Sequence, residues 1–135
     1  MADHLLDTNH ASKFLEGREP IRSRIVSAQA SGNRFGISMT ILGELYFAAY
    51  ASRRPTENPA KLGQFLDDVI LWDYDRRAAE EFGRIQAEQK AKGQPIPSSD
   101  AQIAAVARIH GLIVLTDDHH FGFIDRLAIE NWLRS

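Results

Sequence analysis

The stretch LIVLTDDHHF, residues 112–121, decides how this chain is read. Leu112-Ile113-Val114-Leu115 is unbroken hydrocarbon after a glycine, the pattern of a short buried strand. Two adjacent aspartates and two adjacent histidines then stand where that strand should end. Upstream, Ser99 to His110 carries apolar residues at helical spacing and stops at Gly111. A helix feeding a buried strand is a unit of a parallel α/β sheet.

Working outward, the same alternation covers the chain. His4-Leu5-Leu6 reads as a strand, and Asp7 or Thr8 can cap a helix running to about Gly17. A second helix follows Pro20, and Phe35 to Ser38 reads as another strand. Thr40 to Ser52 is a strongly apolar helix, expected to be buried nearly all round, closed by Arg53-Arg54-Pro55. Pro59 to Asp68 is a helix, Val69 to Trp72 a strand and Asp75 to Lys92 a long amphipathic helix ended by Gly93. Leu127 to Ile129 is the last strand, with Trp132 packed behind it. The expectation is one α/β domain over residues 1–135 with helices on both faces of a largely parallel sheet. Ligand sites of such sheets lie outside the carboxyl ends of the strands.

Composition narrows the function classes. The absence of cysteine excludes disulfides and thiolate chemistry. No apolar run approaches the ~18 residues of a membrane span, and the N-terminus lacks the pattern of a signal peptide, so the expected location is cytoplasmic, away from membranes. A formal charge of −2 gives no general attraction to nucleic acid, so a nucleic-acid substrate would need local basic residues or bound cations. Lys13, Arg18, Arg22, Arg53, Arg54 and Lys92 are candidate backbone contacts.

Four acidic positions stand out. Asp7 directly follows the first strand. Glu44 is the only charged residue between Gly36 and Ser52, among Ile41, Leu42, Leu45 and Tyr46. A carboxylate in such surroundings emerges at a polar edge, pairs with a base or binds a cation. Ser99 and Gln102 have capping-box spacing, which would put Asp100 at the first helical position, facing the sheet with Ile103 and Ala104. The Asp117-Asp118 pair closes the late strand, where a single acid would serve a turn. In a parallel sheet all of these converge on one rim. Crowded carboxylates resist ionisation, a divalent cation removes that penalty, and oxygen ligands select magnesium or manganese.

Leu5-Leu6-Asp7-Thr8-Asn9, Ile37-Ser38 with Gly43-Glu44-Leu45, Asp100 with Ile103-Ala104-Ala105, Val114-Leu115-Thr116-Asp117-Asp118 with Phe121, and Ile129-Glu130-Asn131-Trp132 together resemble the PIN-domain ribonucleases. More narrowly they resemble the VapC-type toxins of toxin–antitoxin pairs, nearly end to end. The resemblance implies a three-layer α/β/α fold with a sheet of about five strands. It places the acidic site on Asp7, Glu44, Asp100 and Asp118, with Asp117 as the rival for the fourth place and Thr8, Asn9 and Thr116 in support. It implies magnesium, replaceable by manganese, an RNA substrate cleaved by water to a 5′-phosphate and a 3′-hydroxyl, and a VapB-like antitoxin. His10 departs from the pattern, standing where an apolar residue is usual.

Tyr46, Phe47 and Tyr50 exceed what one small core needs on a single helix and suit an antitoxin or homodimer surface. Three rival functions remain at this level. One is a metal-independent ribonuclease using His119 or His120, although adjacent histidines are expected to face different ways and to make a poor metal pair. The second is a non-catalytic acidic magnesium-binding domain. The third, an Asp-x-Asp phosphatase, meets Asn9 at its second acidic position.

Overall fold

The computed structural model describes residues 1–134 and shows five parallel strands between helical layers. The elements run β1 (Asp3–Leu6), α1 (Thr8–Leu15), α2 (Ile21–Ala30), β2 (Arg34–Ser38), α3 (Met39–Tyr50), α4 (Glu57–Phe65), β3 (Ile70–Trp72), α5 (Arg76–Lys92), α6 (Ser98–His110), β4 (Ile113–Leu115) and β5 (Ala128–Glu130). Single 3-10 turns cover Leu66–Asp68 and His119–Phe123. The strand order is β3-β2-β1-β4-β5, with Leu5 of β1 in register with Gly36 of β2 and Val114 of β4. The expected elements are all present. The helix expected over Pro59–Asp68 begins at Glu57 and passes into the 3-10 turn at Leu66, and the last strand begins one residue later than expected.

Local chemistry explains the boundaries. Asp7 caps α1 and Asp75 caps α5 through their carboxylates. Gly93 and Gly111 end α5 and α6 in the left-handed region, at φ +69° and +65°. Gly36 is required for another reason: a Cβ there would meet the Trp72 ring at 2.6 Å, so a bare backbone lets β3 lie against β2. The core centres on Leu5, Leu6, Ile37, Val114 and Leu115 of the sheet, with Ile103 of α6 packed over them. Ala101, Ala104, Ala105 and Ala107 are buried along α6, their small side chains allowing the helix to sit close. No helix among the described residues is long and apolar enough to cross a membrane.

Three expectations need correction. The apolar helix α3 is not buried all round: Ile41 and Leu45 are buried, whereas Phe47 is 75% and Tyr50 62% exposed. Its apolar composition exceeds the neighbours available, since α4, α1 and α6 touch only part of it. The capping box at Ser99 does not form. Helix α6 begins at Ser98 without a side-chain cap, placing Asp100 at its third residue, and Gln102 instead accepts a hydrogen bond from Thr40 Oγ1 at 3.0 Å. His119 and His120 do not diverge: the tight 3-10 turn brings their rings to 4.2 Å between centroids at 31°.

His10, at the apolar position noted above, is fully buried. Its Nε2 accepts from the Trp132 backbone N–H at 3.0 Å, tying the C-terminal segment to α1. Burial holds the ring neutral by pushing its pKa from 6.5 down to about 4. Trp132 is a fourth correction, since it does not pack behind the last strand. Its ring lies over His4 of β1 and edge-on to Phe35 of β2, beneath the Arg24 guanidinium, whose centre stands 4.8 Å from the ring. Only its indole N–H reaches β5, donating to Glu130 at 2.8 Å.

Candidate active site

The chain reverses direction across the sheet between β1 and β4. From β1 it steps outward to β2 and β3, then crosses back to enter β4 on the other side of β1. A crevice at the carboxyl ends of such a strand pair is the standard ligand position of an open α/β sheet. Asp7 ends β1 and Thr116-Asp117-Asp118 ends β4, so both flank that crevice. The Asp7 backbone N–H donates to the Leu115 carbonyl at 3.0 Å and closes the ladder between them.

Asp7 and Glu44 are each held by a neighbour with little freedom. Asp7 Oδ1 accepts from the Thr8 N–H at 2.8 Å, and Oδ2 from the Thr116 hydroxyl at 2.7 Å. Thr116 is buried, and its Oγ1 also accepts from the Asp118 N–H at 3.0 Å. One hydroxyl therefore fixes Asp7 and the start of the Asp118 turn together. Thr8 Oγ1 donates to Glu44 Oε2 at 2.8 Å, which turns the half-buried Glu44 toward the end of β1. The Thr40–Gln102 bond joins α3 to α6, the two helices that carry Glu44 and Asp100. Sequence reading did not single out that pair, and two polar side chains on separate helices give no local signal of their pairing.

Asp100 is the most deeply buried of the four acids. It is 8% exposed, and its Oδ2 has no hydrogen-bond partner. Burial, followed by carboxyl–carboxyl contact with Asp118 and then the negative charges of Asp118 and Asp7, raises its pKa to about 7. Burial also raises the pKa of Asp7, with Glu44 and Asp118 adding to the effect against the bonds from Thr116 and Thr8. Asp118 moves the other way. Burial opposes its ionisation, but the His120 N–H at 2.9 Å and the His120 ring Nδ1 at 2.8 Å hold it below the usual carboxylate value. Between these two carboxyl groups the surroundings favour the proton on Asp100 and the charge on Asp118.

The structure brings Asp7, Glu44, Asp100 and Asp118 to one rim, with Thr8 and Thr116 between them. Asp117 points away: it is exposed and takes two long contacts from Asn9 Nδ2, at 3.3 and 3.4 Å. Among the candidate basic contacts, Arg18, Arg54 and Lys92 are occupied by Glu16, Glu57 and Asp125. Lys13, Arg22 and Arg53 have no ion pair among the described residues. An acidic, oxygen-rich cluster with a sealed and unpaired carboxylate oxygen fits a divalent cation, because such an ion would supply the partner that Asp100 Oδ2 lacks.

The PIN domain family matches residues 4–127, and the chain belongs to that family. Its relatives include "Ribonuclease VapC2" of Haemophilus influenzae, 34% identical over 98% of this chain and 100% of that protein. They also include "tRNA(fMet)-specific endonuclease VapC" of Salmonella typhimurium, 34% identical over 98% of this chain and 99% of that one. Within the PIN domains the chain therefore belongs with the VapC-type ribonucleases. The crystal structure of DNA-bound VapBC from Salmonella typhimurium superimposes with a TM-score of 0.88, covering 98% of this chain and 99% of that chain at 34% identity.

Proposed function

We propose that residues 1–135 work as one nuclease domain, a magnesium-dependent endoribonuclease that is the toxin of a type II toxin–antitoxin pair. The observation that carries this reading is the convergence of Asp7, Glu44, Asp100 and Asp118 at the β1/β4 crevice, with Asp100 Oδ2 sealed and unpaired. The VapC relatives named as ribonucleases, and the VapBC assembly that shares the fold, support RNA as substrate and a VapB-like antitoxin as partner. The relative named for tRNA(fMet) makes initiator tRNA the first substrate to assay.

Asp7 and Asp100 are the residues that would hold magnesium, joined by Glu44 and Asp118, and manganese suits the same oxygens. When bound there, the ion supplies neutralisation of charge at the phosphate and acidification of a water. The chain's own residues supply position. Thr116 aims Asp7 and fixes the Asp118 turn, and Thr8 aims Glu44, so the carboxylates are set before a ligand arrives. To hold a cation, Asp100 would have to be ionised, so binding there would be favoured as pH rises. Asp118 is favoured in its ionised form by the His120 backbone N–H, which donates to it, and by the His120 ring against it at 2.8 Å.

Incubating the purified chain with initiator tRNA, with magnesium or with chelator, tests this reading. Cleavage is expected with magnesium and is expected to vanish in chelator and in the Asp7→Asn variant. Cleavage that persists in chelator would favour the histidine-based ribonuclease, for which the His120–Asp118 contact at 2.8 Å is the relevant geometry.

The antitoxin is assigned to the exposed aromatic flank of α3. Tyr46 and Tyr50 stack there with centroids 6.0 Å apart, and Phe47 lies one turn beyond Glu44. A groove of about 1180 Å³ lined by Phe14, Leu15, Val26, Leu45 and Leu62 opens on the other flank of α3. A second copy of the chain is the rival occupant of the aromatic flank, and sedimentation of the chain alone tests for that homodimer.

A further inference from the structure

In the carboxylate site His120 serves only to hold Asp118 and His119 has no assigned part, yet the fold puts both rings at its edge. Their rings lie together within one 3-10 turn, tilted by 31°, with Phe123 edge-on to both. His120 Nδ1 stands 2.8 Å from Asp118 Oδ1 and 3.6 Å from Asp100 Oδ2, and His119 Nδ1 stands 3.9 Å from Asp118 Oδ1. One ligand atom from each of Asp118, His119 and His120 falls within 4.8 Å of the others. Donors that lie about 2.0–2.2 Å from one ion are about 3–4 Å apart in tetrahedral geometry, so the three need only small adjustments to share one. Independently, Asp100 Oδ2 is buried, has no hydrogen-bond partner and stands 3.6 Å from His120 Nδ1, so a fourth donor lies beside the same space.

We propose that His119, His120 and Asp118, completed by Asp100, form a nitrogen–oxygen site for a zinc-class ion, overlapping the magnesium site through the two shared carboxylates. The inference rests on the carboxylate reading above and adds the two imidazoles to it. Imidazole nitrogen suits zinc and its tetrahedral stand-in cobalt, whereas magnesium takes oxygen in octahedral geometry and gains little from it. The ion takes the place of the hydrogen between His120 Nδ1 and Asp118 Oδ1, and each ring then offers its Nδ1 lone pair with its proton on Nε2. Because Asp118 and Asp100 serve both ions, zinc and magnesium exclude one another. A zinc-class ion drawn to the histidine edge takes Asp100 and Asp118 away from Asp7 and Glu44, and so blocks cleavage.

The test uses cobalt(II) as a spectroscopic probe on the intact chain, with zinc and magnesium as competitors. The expected result is the intense visible absorption of tetrahedral cobalt, abolished by stoichiometric zinc. His119→Ala and His120→Ala should each weaken cobalt binding at least about tenfold. His119→Ala should leave the magnesium-induced rise in melting temperature in place, since its exposed side chain neither ligates magnesium nor holds a carboxylate that does. His119 is exposed, so its removal does not threaten the fold. Weak octahedral cobalt bands, or tetrahedral bands that survive in both variants, would overturn the histidine site while leaving the carboxylate reading intact. No binding of cobalt, zinc or magnesium, with RNA still cleaved in chelator, would overturn both.

Discussion

The Thr116 hydroxyl donates to Asp7 Oδ2 at 2.7 Å and accepts from the Asp118 backbone N–H at 3.0 Å, linking residues 109 positions apart at the ends of two neighbouring strands. A buried hydroxyl that serves two partners holds both carboxylates in register. Thr116→Val keeps the shape and removes both bonds. It should lower RNA cleavage about 10–100-fold, the range for lost orienting partners of metal ligands. It should cost about 1–2 kcal/mol of stability, read from urea denaturation, because the Asp118 N–H loses its acceptor. Thr116→Ser restores both bonds and should recover most of the activity.

The stability of the metal-free protein should respond to Asp100 with a definite sign. Its pKa is raised in the folded state from 3.8 to about 7, by burial first and then by Asp118 and Asp7. A raised carboxyl pKa contributes stability that is fully present below the unfolded value near 3.8 and is lost as pH rises through about 7. At pH 8 in chelator the ionised Asp100 therefore burdens the fold. Asp100→Asn should be more stable than the parent there, on the order of 2 kcal/mol, and should lose that advantage near pH 4. It should also lose magnesium-dependent cleavage. A variant less stable than the parent at pH 8 would contradict the buried, unpaired state of this carboxylate.

How far the sequence anticipates this arrangement varies residue by residue. The strands and the acids were legible, because Leu112–Leu115 and Leu5–Leu6 are apolar runs that stop at aspartate, and parallel strands gather such stops on one rim. The start of α6 was misjudged, because Ser99 and Gln102 have the right spacing for a capping box while Gln102 is claimed by Thr40, a partner on another helix. The burial of α3 was misjudged because composition states what a helix would bury, not whether a neighbour exists to cover it. The convergence of His119 and His120 was hidden because helical periodicity does not describe a 3-10 turn.

His10 predicts an acid limit to folding. Burial depresses its pKa from 6.5 to about 4, so the folded protein holds the ring neutral while the unfolded chain protonates it. That contribution is fully present above pH 6.5 and is lost as pH falls toward 4, amounting to about 3 kcal/mol over the window. His10→Gln keeps an acceptor within reach of the Trp132 N–H and cannot titrate. Denaturation curves between pH 4 and 7 should therefore be flatter for the variant than for the parent. Parallel curves would mean that other groups set the acid limit.

The two aspartates at the end of β4 should separate functionally. Asp118 faces Asp100 and is held by His120, whereas Asp117 is exposed and meets only Asn9. Asp118→Asn should reduce magnesium-dependent cleavage by at least about tenfold. Asp117→Asn should remain within about twofold of the parent and within about 0.5 kcal/mol in stability, as for other exposed substitutions. Equal effects from the two would reduce the segment to a strand-ending turn.

The last prediction concerns inhibition by the antitoxin. Phe47, 75% exposed, lies one helical turn from Glu44, so a partner covering the aromatic flank of α3 ends close to the acids. An apolar helix seated on Tyr46, Phe47 and Tyr50 can extend an arginine or lysine to Asp7, Glu44, Asp100 and Asp118. There the cation makes charge-assisted hydrogen bonds and takes the place of magnesium. Two ligands that need the same carboxylates must weaken one another by the same factor. Raising magnesium at constant ionic strength should therefore weaken the complex more than an equivalent monovalent salt does, since screening alone acts through ionic strength. The measurement is a titration of the cognate antitoxin in both salts, repeated with Phe47→Ala and Tyr50→Ala. Each variant should cost at least about 1 kcal/mol of binding, as expected for buried aromatic anchors. Affinity indifferent to magnesium, with both variants neutral, would remove this mode of inhibition and return the aromatic flank of α3 to the second copy of the chain.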